Sequence, residues 1–74
     1  MTDSAGLGRP LTITLIPTAD ADLHMLTERT ELSPTDVANR AITLYGYIDA
    51  HLSAGHDLLI RDNETGETRT VLIL

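Results

Sequence analysis

The side chains of this sequence that could do chemistry are three His, five Arg, eleven carboxylates and scattered hydroxyls; Cys and Lys are absent. Without Cys there is neither a disulfide nor a thiolate metal site. His24, His51 and His56 lack the close pairing that metal ligands on one element usually show, so the sequence predicts no metal and no cofactor. No Ser, His and carboxylate arrangement suggests a nucleophile with its base, so no catalytic residue is expected and the chain does not read as an enzyme. What remains is a pair of hydroxyls two residues apart, Thr12 and Thr14, just after Arg9. Such groups can touch the edges of bases, provided a rigid element presents them together.

That element is visible around them. Leu11-Thr12-Ile13-Thr14-Leu15 alternates apolar and hydroxyl residues with period two, the pattern of a strand with Leu11, Ile13 and Leu15 facing inward and Thr12 and Thr14 facing out. Before it, residues 1–8 are rich in small and polar types and read as a flexible arm. After it, Pro17-Thr18 opens a helix, with Thr18 as candidate N-cap and Asp20 and Asp22 as first-turn acids. Ala19, Leu23, Leu26 and Thr30 make one stripe along this helix to about Glu31, with Met25 at its margin.

Leu32-Ser33-Pro34-Thr35-Asp36 is the sharpest punctuation in the chain. Ser33 serves as N-cap, Pro34 takes the first helical position, and Asp36 stands three residues after the cap as in a capping box. Val37, Ala41, Leu44 with Tyr45, Ile48 and Leu52 continue an apolar stripe to Ser53-Ala54-Gly55, where the glycine suits a left-handed helix stop. Gly46 inside this helix suggests close packing, and Arg40 stands at the spacing to pair with Asp36. Arg29 likewise reads as pairing with a neighbouring carboxylate. From Asp57 onward the sequence reads as a hairpin, Asp57 to Arg61, a turn through Asp62-Asn63-Glu64-Thr65-Gly66, then Glu67 to Leu74. Its closing run from Thr70 to Leu74 is too apolar for a bare edge, so helix two or a neighbouring subunit should cover it.

Three segments follow from this: an arm over 1–8, a strand-helix-helix unit over 9–55 and a hairpin over 56–74. Seventy-four residues bury a thin core, and with disulfides and metals struck off a second copy is the remaining means of thickening it. The first strand also lacks a partner in its own unit, which leaves backbone groups unpaired. Two copies pairing these strands antiparallel about a twofold axis solve both problems. The shared core would then hold Leu11, Ile13, Leu15, Leu23, Leu26, Val37, Ala41, Ile42 and Tyr45. Thr12 and Thr14 of both copies would lie on one exposed ribbon of a width that fits the major groove of B-DNA.

The order of these elements from Arg9 to Leu52 resembles the ribbon-helix-helix family of Arc, MetJ and CopG-type repressors. The resemblance implies a mainly α fold with β, an intertwined homodimer, here with an added C-terminal hairpin. It also implies a cytoplasmic transcriptional regulator, acting on double-stranded DNA as a dimer or as side-by-side dimers. Family members read bases with the outward strand side chains, which here are Pro10, Thr12 and Thr14, with Arg9 one residue out of phase. They anchor phosphate at the start of helix two, here Ser33, Pro34, Thr35 and Asp36. Pro10 stands where the family commonly carries Arg or Lys, and Pro34 removes one anchoring N–H.

Charge opposes the reading. The formal net charge is −6, the wrong sign for gripping phosphate through a generally basic surface. Arg9, however, is the only charged residue from Ser4 to Ala19, so the acid excess sits away from the strand. The alternative is an acidic, antitoxin-like or phage-type dimer whose hairpin engages a protein partner, with Asp57, Asp62, Glu64 and Glu67 on its surface. The polar start and the absence of a long apolar run lead to the expectation of a cytoplasmic protein without membrane contact.

Overall fold

The computed structural model describes residues 8–72. Its elements, in chain order, are α1 (Pro17–Thr30), α2 (Pro34–Ser53), β1 (Leu59–Arg61) and β2 (Thr68–Thr70). The fold is thus mixed α and β, two helices followed by a two-stranded antiparallel sheet. None of its helices is long and apolar enough to cross a membrane. The stretch expected as a flexible arm lies outside the described residues except for Gly8.

Leu11–Leu15, expected as a strand, takes no place in a sheet of the single chain and leads as irregular backbone into α1. A strand exists through its ladder, and the two strands of the hairpin are occupied with each other. The start of α1 corrects a second expectation: Ile16, not Thr18, is the N-cap, and no side chain caps it. Pro17 at the first helical position decides this, because its φ is already helical and it has no N–H to satisfy. Asp20 falls in the first turn, whereas Asp22 lies beyond it. The helix stops at Glu31, whose backbone is left-handed (φ 60°) and whose N–H bonds the Thr27 carbonyl at 3.0 Å.

The second helix begins at the expected residues, but only half of the capping box forms, since the Asp36 carboxylate does not accept the Ser33 N–H. Ser33 is the N-cap, its Oγ accepts from the Asp36 N–H at 3.1 Å, and Pro34 occupies the first turn. At the far end Gly55 is left-handed (φ 88°) and its N–H bonds the Leu52 carbonyl at 3.1 Å. Gly46 does not mark close packing, because a Cβ there would meet nothing within 4 Å. Neither expected arginine ion pair forms. Arg40 is not bridged to Asp36, Arg29 approaches the Met25 sulfur at 4.0 Å, and the ion pair found among the described residues is His24–Glu28 at 3.6 Å.

The hairpin pairs Leu59 with Thr70, Ile60 with Arg69 and Arg61 with Thr68. Its turn is built by Asp62, whose carboxylate accepts the Glu64 N–H at 2.8 Å, while left-handed Gly66 (φ 78°) donates to the Asp62 carbonyl. The strands are shorter than the sequence suggested. Helix α1 packs on α2 and β1 on β2, but neither strand packs on a helix. In the closing run Val71 is half-buried and Leu72 is 81% exposed, while Ile73 and Leu74 lie outside the described residues.

The consequence is a chain with little interior. Val37, at the α1–α2 contact, is the one buried apolar residue among those described. The radius of gyration is 15.5 Å, against about 11 Å for a compact domain of this length. Helix α2 is consequently held as much by its own caps as by packing. Ser33→Ala should cost about 1 kcal/mol, read as a lower urea midpoint of the helical signal at one fixed protein concentration. An unchanged midpoint would show that the Ser33 cap contributes nothing.

Candidate functional site: an apolar groove and the polar strand beside it

Among the described residues, a broad concave surface lies between the segment before α1 and the two helices. Alternate residues of that segment, Leu11, Ile13 and Leu15, form one wall; α1 contributes Leu23 and Leu26 among others, and α2 contributes Val37, Ala41 and Ile42 together with Pro34 and Thr35 at its start. The groove encloses about 530 Å³ and its lining is mainly apolar. Although the segment is not paired as a strand, its period-two pattern survives: Leu11, Ile13 and Leu15 line the groove, while Thr12 and Thr14 do not and are exposed.

Eight of the nine residues expected in a shared core thus meet on one surface. Tyr45 is the exception. It stands one turn beyond Ala41, on the same side of α2, past the end of the groove and 53% exposed. In the single chain most of this surface is open to water. Leu11 is 63% exposed, Ile13 57% and Ile42 62%, whereas Leu15, Leu23 and Leu26 are half-buried. A contiguous apolar surface of this kind, rimmed by polar groups, is the signature of an interaction face.

The polar candidates divide into two groups. Arg9, Pro10, Thr12 and Thr14 are exposed along the segment before α1. Ser33, Pro34, Thr35 and Asp36 are exposed at the start of α2, where unpaired N–H groups and the helix dipole favour an anion. Here the structure narrows the donor set. Pro34 has no N–H, and the Asp36 N–H is already taken by Ser33 Oγ. Thr35, in the first turn, has no acceptor within the helix, so with Ser33 it is the donor position left for an anion. The Asp36 carboxylate beside that end works against one. Asp22 lies at the groove itself, the one ionisable group in its lining.

Two features went unseen in the sequence. A second depression of about 500 Å³ on α2 is lined by Asn39, Arg40, Thr43, Leu44 and Tyr47. And His51 and His56, without close pairing in the sequence, are in contact, with their Nδ1 atoms 2.9 Å apart. Among the described residues no cluster of three or more His, Asp or Glu is placed to hold a metal. Compared with known proteins, the chain matches no family model, no curated protein and no solved structure.

Proposed function

We propose that the chain is a dimeric, ribbon-helix-helix-like DNA-binding regulator in which two copies close their grooves on each other and present Thr12 and Thr14 to the major groove of duplex DNA. The observation that carries the reading is the division of one segment into two faces. Leu11, Ile13 and Leu15 line the apolar groove while Thr12 and Thr14 between them stay exposed. A partner is needed on both counts. The segment has backbone groups that no strand of its own chain pairs, and the groove leaves Leu11 and Ile13 more than half in water. A second copy supplies a strand to the first and a matching apolar surface to the second, and symmetry makes the same patch serve both.

In this reading the dimer needs no general basic surface. Thr hydroxyls and methyls meet base edges and the thymine methyl, Arg9 reaches a phosphate, and the Ser33–Thr35 helix start takes another. The resulting grip is light. About two to four phosphates would be neutralised per dimer, so the logarithm of affinity should fall with the logarithm of salt at a slope of about −2 to −4.

A second reading is favoured by the hairpin. Leu59 and Ile60 are 55% and 58% exposed, Leu72 is 81% exposed, and no helix covers them. They would suit a protein partner, with DNA binding weak or lost in an acidic dimer.

Two experiments separate these readings. Sedimentation of the purified chain should give twice the 8.0 kDa protomer mass, and Ile13→Asp should reduce it to one protomer, because pairing would bury an unpartnered charge. The same change costs a single chain little, since Ile13 is 57% exposed there; an Ile13→Asp dimer would refute the groove as the interface. Selection from a random duplex pool should enrich a palindromic site. Thr12→Ala with Thr14→Ala should lower the preference for that site over random duplex by about tenfold and leave the dimer intact. A dimer that enriches no sequence, at low salt or high, would overturn the regulator and favour the hairpin partner.

A further inference from the structure

The stop of α2 brings together two imidazoles that are five residues apart in the sequence. His51 lies in the last turn of the helix, and Gly55 in its left-handed conformation reverses the chain so that the His56 N–H bonds the His51 carbonyl at 3.0 Å. The side chains follow the backbone. The rings lie 5.2 Å apart at 39° to each other, with Nδ1 facing Nδ1 at 2.9 Å, and Tyr47 meets the His51 ring edge-on at 4.7 Å. One Nδ1 must carry a proton and the other must offer its lone pair, since two lone pairs or two N–H groups would repel.

We infer that His51 and His56 form a two-nitrogen binding site for a divalent ion of the late first transition series, tightest for Cu²⁺. The metal–imidazole bond is about 2.0–2.1 Å, so two nitrogens on adjacent positions of one ion stand about 2.9–3.4 Å apart, the lower figure for a right angle and the upper for a tetrahedral one. The 2.9 Å between the two nitrogens is that of their hydrogen bond, and it already brings them close enough to share one ion, the short end of the range suiting tetragonal Cu²⁺ and Ni²⁺. Both residues are exposed, so the rings are free to turn, each by about 45° for a right-angled site, and aim both lone pairs at a common point. The proton on one Nδ1 passes through solvent to Nε2 of the same ring, and both imidazoles bind neutral.

Imidazole is a ligand suited to Cu, Ni and Zn, and Cu²⁺ heads the affinity order for any such donor set. Asp57 lines the same small depression as His51, placing a negative charge near the incoming cation. Remaining positions on the ion belong to water, because no third ligand residue joins the pair among the described residues. A bound ion would bridge the end of α2 to the residue just past its stop, fixing the turn from which the hairpin departs.

The test is titration of copper(II) sulfate into the full chain, followed by visible absorption and electron paramagnetic resonance. One equivalent per chain with a two-nitrogen spectrum is expected. His51→Ala and His56→Ala should each weaken it at least tenfold, while His24→Ala, on α1 beside Glu28, should change nothing. Zinc chloride should compete at higher concentration. Proton NMR of the unaltered chain guards against misfolded variants: substoichiometric Cu²⁺ should broaden the ring signals of His51 and His56 before those of His24. Equal broadening of all three, or equal binding by a His51→Ala, His56→Ala double variant, would overturn the site.

Discussion

Two helices side by side can exclude water only along the line where they touch, and in this chain Val37 is the one apolar residue among those described that is buried. Every other apolar side chain of α1, α2 and the segment before them is left partly wet, which is why the molecule is extended and carries a groove of about 530 Å³. This shortage of interior constrains everything else. Each helix must be held by its own ends, the segment before α1 must find hydrogen bonds elsewhere, and the apolar surface must have an occupant if the fold is to be stable. The proposed pairing of two copies answers these demands together, and the proposed function follows from what such a pairing leaves outside.

The parts of the fold that were legible in the sequence are those decided by local chemistry. Ser33-Pro34 and Gly55 fix both ends of α2, and Asp62 with Gly66 fixes the hairpin turn, because in each case a short-range hydrogen bond or a backbone preference leaves one good conformation. Where two local signals competed, the stronger displaced the other. Pro17 starts α1 ahead of Thr18, although that leaves the helix without a side-chain cap. The same period-two reasoning correctly separated Leu11, Ile13 and Leu15 from Thr12 and Thr14, even though the segment forms no ladder in the single chain.

What the sequence hid was decided at longer range. A spacing of five does not bring side chains together on a continuing helix, so His51 and His56 looked unrelated. They meet because the helix ends between them and the chain doubles back through Gly55. Arg40 stood at the right spacing for Asp36, but an exposed pair gains too little to hold two side chains against water, and no bridge forms. The limits of the hairpin were also misjudged, since strand length depends on what lies across the ladder and propensity alone does not supply it.

Neither strand of the hairpin packs on a helix. A two-stranded sheet standing alone is marginal in water, so this one is a cooperative unit of its own, able to open and close without disturbing α1 and α2. Amides of β1 and β2 then exchange with solvent through that local opening, on a free-energy scale far below that of the Val37 contact.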